Sequence, residues 1–97
     1  MTAERPADPP AVERILVVDD EPAIRDAVVM LLQGQGYEIV EAGSLADGRA
    51  AYARGGFDLV VSDLRLGDGT GLELLETLAS DADAPPAILM TSYSSVE

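Results

Sequence analysis

Four short apolar runs punctuate the chain, each followed by polar or helix-capping residues. Ile15-Leu16-Val17-Val18 is uninterrupted and stops at Asp19-Asp20, the pattern of a strand buried on both faces of a parallel sheet. Pro22 suits the first turn of a helix, along which Ile24, Ala27, Val28, Leu31 and Leu32 predict one apolar stripe, closed by Gly34 and Gly36. Tyr37 to Glu41 reads as a shorter second strand around Ile39-Val40. Ser44 and Asp47 form a capping-box-like pair that opens a second helix to about Arg54, and Gly55-Gly56 breaks it. Asp58 to Asp63 then repeats the first pattern, an apolar run ending in an acid. Gly67-Asp68-Gly69 reads as a loop, Thr70 and Glu73 as a second capping box, and Leu72, Leu75 and Leu78 as the face of a third helix. After Pro85-Pro86, Ala87 to Met90 predicts a fourth buried strand ending at Thr91-Ser92, and Ser94 with Glu97 spells one more helix start.

Strands alternating with helices at this spacing predict βαβ units with right-handed crossovers, hence an α/β, doubly wound parallel sheet of the flavodoxin-like kind. Met1 to Glu13, with Pro6, Pro9 and Pro10, reads as a flexible leader, leaving residues 14–97 as one domain. A final helix signal with no helix behind it predicts a domain truncated after its fourth strand. Such a sheet has an open edge, which invites a homodimer or a strand-exchanged dimer.

Apolar residues make up 47% of the chain, enough for a core despite the charge excess. With neither cysteine nor histidine, thiolate and imidazole metal sites and triad hydrolysis are excluded. Six arginines against eighteen acids give a formal charge of -12, which disfavours direct binding to nucleic acid or anionic lipid. No apolar run approaches a membrane span, so a cytoplasmic location is expected. There is no lysine, so any mechanism needing an ammonium group is not completed by these residues.

In open α/β sheets ligands bind beyond the carboxyl ends of the strands, where Asp19, Asp20 and Asp63 fall. One acid after an apolar strand is ordinarily a turn former or helix cap. Three are different if the first and third strands are neighbours, as flavodoxin-like order makes them. Their mutual repulsion is then relieved by a hard divalent cation, with Mg2+ the natural candidate because it keeps room for phosphoryl oxygens. Thr91, at the end of the fourth strand, would bring a hydroxyl to the same rim.

Ile15 to Pro22, Asp58 to Leu66 and Ile88 to Ser92 together resemble the receiver domain of two-component response regulators, over Arg14 to Glu97. Thr91 to Glu97 also resembles receivers of the nitrogen-regulation class, and Asp63 to Leu72 those of redox-responding regulators. The resemblance implies a CheY-like fold and a signalling switch rather than an enzyme. It implies that Asp63 accepts phosphate from a sensor histidine kinase, and that Asp20 binds Mg2+ directly while Asp19 acts through water. It also implies that the main-chain carbonyl of Arg65 completes the protein ligands, and that Thr91 bonds the phosphoryl group and relays the change to a transcriptional output domain.

Departures accompany the resemblance. The family's lysine after a fifth strand and its aromatic switch residue have no counterpart here, and Tyr93 is better read as a loop aromatic than as that switch. Gly67 stands where many relatives have proline. Without the lysine, a phosphorylation-incompetent interaction module is the alternative. A phosphatase with an Asp nucleophile is disfavoured, because Arg65 stands where such enzymes need a second acid.

Overall fold

The computed structural model describes residues 13–91. The Pro-rich stretch up to Val12, Tyr93, and the helix start at Ser94 and Glu97 lie outside those residues. The element order is β1 (Arg14–Val18), α1 (Pro22–Gly34), β2 (Glu38–Ala42), α2 (Leu45–Ala53), β3 (Leu59–Asp63), β4 (Arg65–Leu66), β5 (Gly69–Thr70), α3 (Gly71–Ala79) and β6 (Ala87–Met90).

β1, β2, β3 and β6 form one parallel sheet in the order β2-β1-β3-β6. The expected adjacency of the first and third strands is therefore present, with Ile15 opposite Leu59 and Val18 opposite Ser62. Side chains alternate between faces along β1. Leu16 and Val18, with Val60, meet Leu45, Ala51, Leu74 and Leu78 of α2 and α3. Ile15 and Val17, with Val61, meet Val29, Val28 and Leu32 of α1 on the other side. Each fully buried side chain of this size contributes about 1.5–3 kcal/mol. The sheet is also tied at its far rim, where Glu13 and Arg14 amides donate to Asp58 Oδ2 at 3.1 and 3.0 Å.

α2 and α3 start where their side-chain caps specify, whereas α1 opens on Pro22 without one. Ser44 Oγ accepts from the Asp47 amide, and Thr70 with Glu73 forms the full reciprocal capping box. Gly55 and Gly56 adopt positive φ of 79° and 88°, which stops α2 and turns the chain toward β3.

Two helix faces differ from the expectation. In α1, Val29 is buried while Leu31 is 67% exposed, so the inward face runs through Arg25, Val28, Val29 and Leu32. A polar residue occupies one position of that stripe because its guanidinium has its own partners, described below. In α3, Leu74 and Leu78 are buried and Leu72 is 53% exposed, because the inward face begins at Gly71, which carries no side chain to mark it. The fourth strand of the main sheet, β6, is also not fully buried: it pairs on one side with β3, and Ile88 is 51% exposed. Finally, the loop expected at Gly67-Asp68-Gly69 is the tip of a small antiparallel hairpin, with Arg65 paired to Thr70 and Leu66 to Gly69.

Candidate functional site

The register of β1 on β3 brings Asp19, Asp20 and Asp63 out at one rim of the sheet. Each offers a carboxylate oxygen within 4.8 Å of the other two. The three side chains are not equivalent. Asp19 is 0% exposed and Asp63 is buried, while Asp20 faces solvent. Asp19 Oδ1 accepts from the Glu21 amide at 2.9 Å, but its buried Oδ2 has no hydrogen-bond partner among the described residues. Burial raises the Asp19 pKa; the Glu21 amide opposes this, and the charges of Asp63, Asp20 and Glu21 add to it.

A buried carboxylate oxygen with no donor, facing two further carboxylates, is costly in a metal-free protein. A hard divalent cation removes that cost, because it takes oxygen ligands and reverses the repulsion. The donor set therefore fits such an ion.

The chain supports this trio from several sides. Arg25 of α1 donates through Nη1 to the Asp19 main-chain carbonyl at 2.8 Å and through Nε to Glu41 Oε1 at 3.2 Å, pinning the end of β1. Ser62 Oγ donates to the Asp63 carbonyl at 2.9 Å. The Arg65 amide lies 3.4 Å from Asp63 Oδ1. Met90 pairs with Asp63, and its carbonyl accepts from the Leu64 amide at 2.8 Å, so Thr91 follows directly at the same rim. The structure thus brings all five expected site residues, Asp19, Asp20, Asp63, Arg65 and Thr91, to one end of the sheet. Sequence reasoning missed Arg25, which bonds a main-chain carbonyl and an acid on another strand, and Asp68, which accepts from the Leu45 and Ala46 amides at the start of α2; neither pairing leaves a local pattern.

The match to the response regulator receiver domain model covers residues 15–97. The chain belongs to the response regulator receiver family. This receiver is 40% identical over 83 residues to the probable transcriptional regulatory protein TcrX of Mycobacterium tuberculosis, covering 86% of this chain and 36% of TcrX. It is 36% identical over 84 residues to the alginate biosynthesis transcriptional regulatory protein AlgB of Pseudomonas putida, covering 87% of this chain and 19% of AlgB. The receiver therefore spans well under half the length of these curated relatives. Among solved structures it is similar to the response regulator TrrA of Thermotoga maritima in complex with Mg(2+)-BeF, with a TM-score of 0.78, 38% identity, and coverage of 84% of this chain and 71% of TrrA. TrrA has also been solved in complex with the histidine kinase ThkA; that chain has a TM-score of 0.76 and 36% identity, with 88% of this chain and 73% of that one covered. The CheY-like fold follows from the sheet order and these likenesses. No helix among the described residues is long and apolar enough to cross a membrane.

Proposed function

We propose that this receiver is a stoichiometric phosphoacceptor in a two-component relay, with Asp63 as acceptor, Mg2+ as the ion and a sensor histidine kinase as donor. The observation that carries this reading is the trio of carboxylates within 4.8 Å of one another, one of them buried with an unpartnered oxygen. The Mg(2+)-BeF complex and the kinase complex of TrrA support it by similarity.

Asp20, Asp63 and the main-chain carbonyl of Arg65 would hold the ion, with Asp19 acting through water. Bound there, Mg2+ supplies charge compensation for the transferring phosphoryl group. Asp63 attacks phosphorus in line through a carboxylate oxygen. The new O–P bond forms as the N–P bond to the kinase imidazole breaks, and the electron pair of that bond stays on the ring nitrogen. The Glu21 amide and Arg25 fix Asp19 and the end of β1 while this happens. The Thr91 hydroxyl would donate to a phosphoryl oxygen, and that new bond would bias the position of the chain after it. TcrX is a probable transcriptional regulatory protein and AlgB a transcriptional regulatory protein of alginate biosynthesis, and by similarity the output of this receiver is proposed to be transcriptional regulation.

The test is peptide mapping after incubation with acetyl phosphate and Mg2+. One phosphoryl group is expected on Asp63, absent in Asp63→Asn, with no sustained turnover of phosphomonoesters. No labelling of wild type, which the interaction-module alternative predicts, labelling of another residue, or equal labelling of the variant would overturn the assignment.

A further inference from the structure

The hairpin between Asp63 and α3 has little of its own to hold it in shape. Each of its strands is two residues long, and isolated ribbons of that kind are marginal in water. Its turn, Gly67-Asp68, has no positive φ, so it lacks the primed geometry whose twist matches hairpin strands. The hairpin is held from outside. Leu66 is buried in the core, and Asp68 reaches α2, where Oδ1 accepts from the Leu45 amide at 2.7 Å and Oδ2 from the Ala46 amide at 3.0 Å. These are two of the donors that a helix start leaves unpaired, and Ser44 serves the Asp47 amide separately. The Ala46 and Leu45 amides also hold the Asp68 carboxyl below the ordinary carboxylate range. The turn so anchored stands against the acidic rim: a Cβ on Gly67 would lie 3.2 Å from Asp20 Oδ2.

We propose that Asp68 is a positioning residue for the cation site, its paired bonds to α2 holding the Arg65 carbonyl and Gly67 at the correct separation from Asp20 and Asp63. This rests on the cation reading above and adds a residue outside the ligand set. Asp68 bonds α2 and not a ligand, so it acts through the backbone of the hairpin, and its effect should be smaller than the roughly 10–100-fold of groups bonded directly to a ligand.

The test is Mn2+ titration of the full chain, followed by the electron paramagnetic resonance signal of the free ion, for wild type, Asp68→Ala, Asp68→Asn and Ser44→Ala. Ser44→Ala removes a cap from the same helix end without touching the hairpin, so it reports what loss of helix stability alone does. Asp68→Ala is expected to weaken Mn2+ binding severalfold, short of the roughly tenfold loss that removing a direct partner of a ligand brings. Asp68→Asn, which keeps one acceptor oxygen, should fall between it and wild type, and Ser44→Ala should stay close to wild type. Equal affinity of Asp68→Ala and wild type, or equal losses in Asp68→Ala and Ser44→Ala, overturns the proposal. If Asp68→Ala does not fold, Asp68→Asn against Ser44→Ala decides on the same terms. Failure of the cation reading looks different: wild type itself binds no Mn2+, or Asp20→Asn binds as well as wild type, and both readings then fall together.

Discussion

Gly71 lies directly against Asp63. A Cβ at position 71 would collide with the Asp63 carbonyl oxygen and stand 2.8 Å from Leu89 Cδ2. The Gly71 amide also donates to the Leu64 carbonyl at 2.9 Å, so the start of α3 is fitted to the end of β3 through backbone on both sides.

Gly71→Ala must therefore displace the backbone that carries the acceptor. It is expected to lose about 1–3 kcal/mol of stability, the usual cost of overpacking, and to bind Mg2+ more weakly. Urea unfolding and metal titration check the two effects separately.

Arg25 holds the end of β1 through a fork, with one arm on the Asp19 carbonyl and the other on Glu41. Arg25→Ala is expected to cost about 1–2 kcal/mol, the range for hydrogen bonds involving a charged group once partial exposure is allowed for. Arg25→Lys should recover less than half of the loss, because an ammonium does not reproduce two fixed donor directions. Urea midpoints of the three proteins decide this.

The pH dependence of the metal-free chain should carry the signature of Asp19. Its folded-state pKa is raised, mainly by burial, above the usual 3.8. The native state thus keeps a proton that the unfolded chain releases. The resulting stability is complete below pH 3.8 and is lost as pH rises through the folded value. Asp19→Asn has no charge to bury, so between mildly acidic and neutral pH it should gain stability relative to wild type. A constant difference between the two across a pH series of urea midpoints would contradict this.

Away from the rim, the Tyr52 hydroxyl donates to Asp81 Oδ2 at 2.6 Å, linking α2 to the segment after α3. Burial, then the bond to Asp81, push the Tyr52 pKa up from 10.0 to about 12. The associated stability is present below pH 10 and disappears as pH rises through about 12. In a phenolate absorbance titration Tyr52 should ionise late. Asp81→Asn should bring it only part of the way back, because burial remains.

The parts of this architecture legible in the sequence are those written in local pattern. β1 and β3 are buried on both faces and so read as continuous apolar runs, and their terminal acids mark the rim without further information. Thr70 and Glu73 announce α3 because a capping box is complete within four residues. The phases of α1 and α3 were hidden for opposite reasons: Arg25 puts charge on an inward position, and Gly71 puts nothing there. The support from Asp68 was illegible because its partners, Leu45 and Ala46, belong to another helix. The partial exposure of β6 depends on which strands flank it, and no property of Ala87 to Met90 records that.

The three carboxylates act together as a cation site, and the thermal midpoint as a function of Mg2+ tests this most directly. Wild type should rise with Mg2+, by an amount worth about 2.7 kcal/mol when the ion reaches about a hundred times its Kd. Asp20→Asn should shift far less at the same concentrations. A wild-type midpoint that ignores Mg2+, or an equal rise in the variant, would contradict the account.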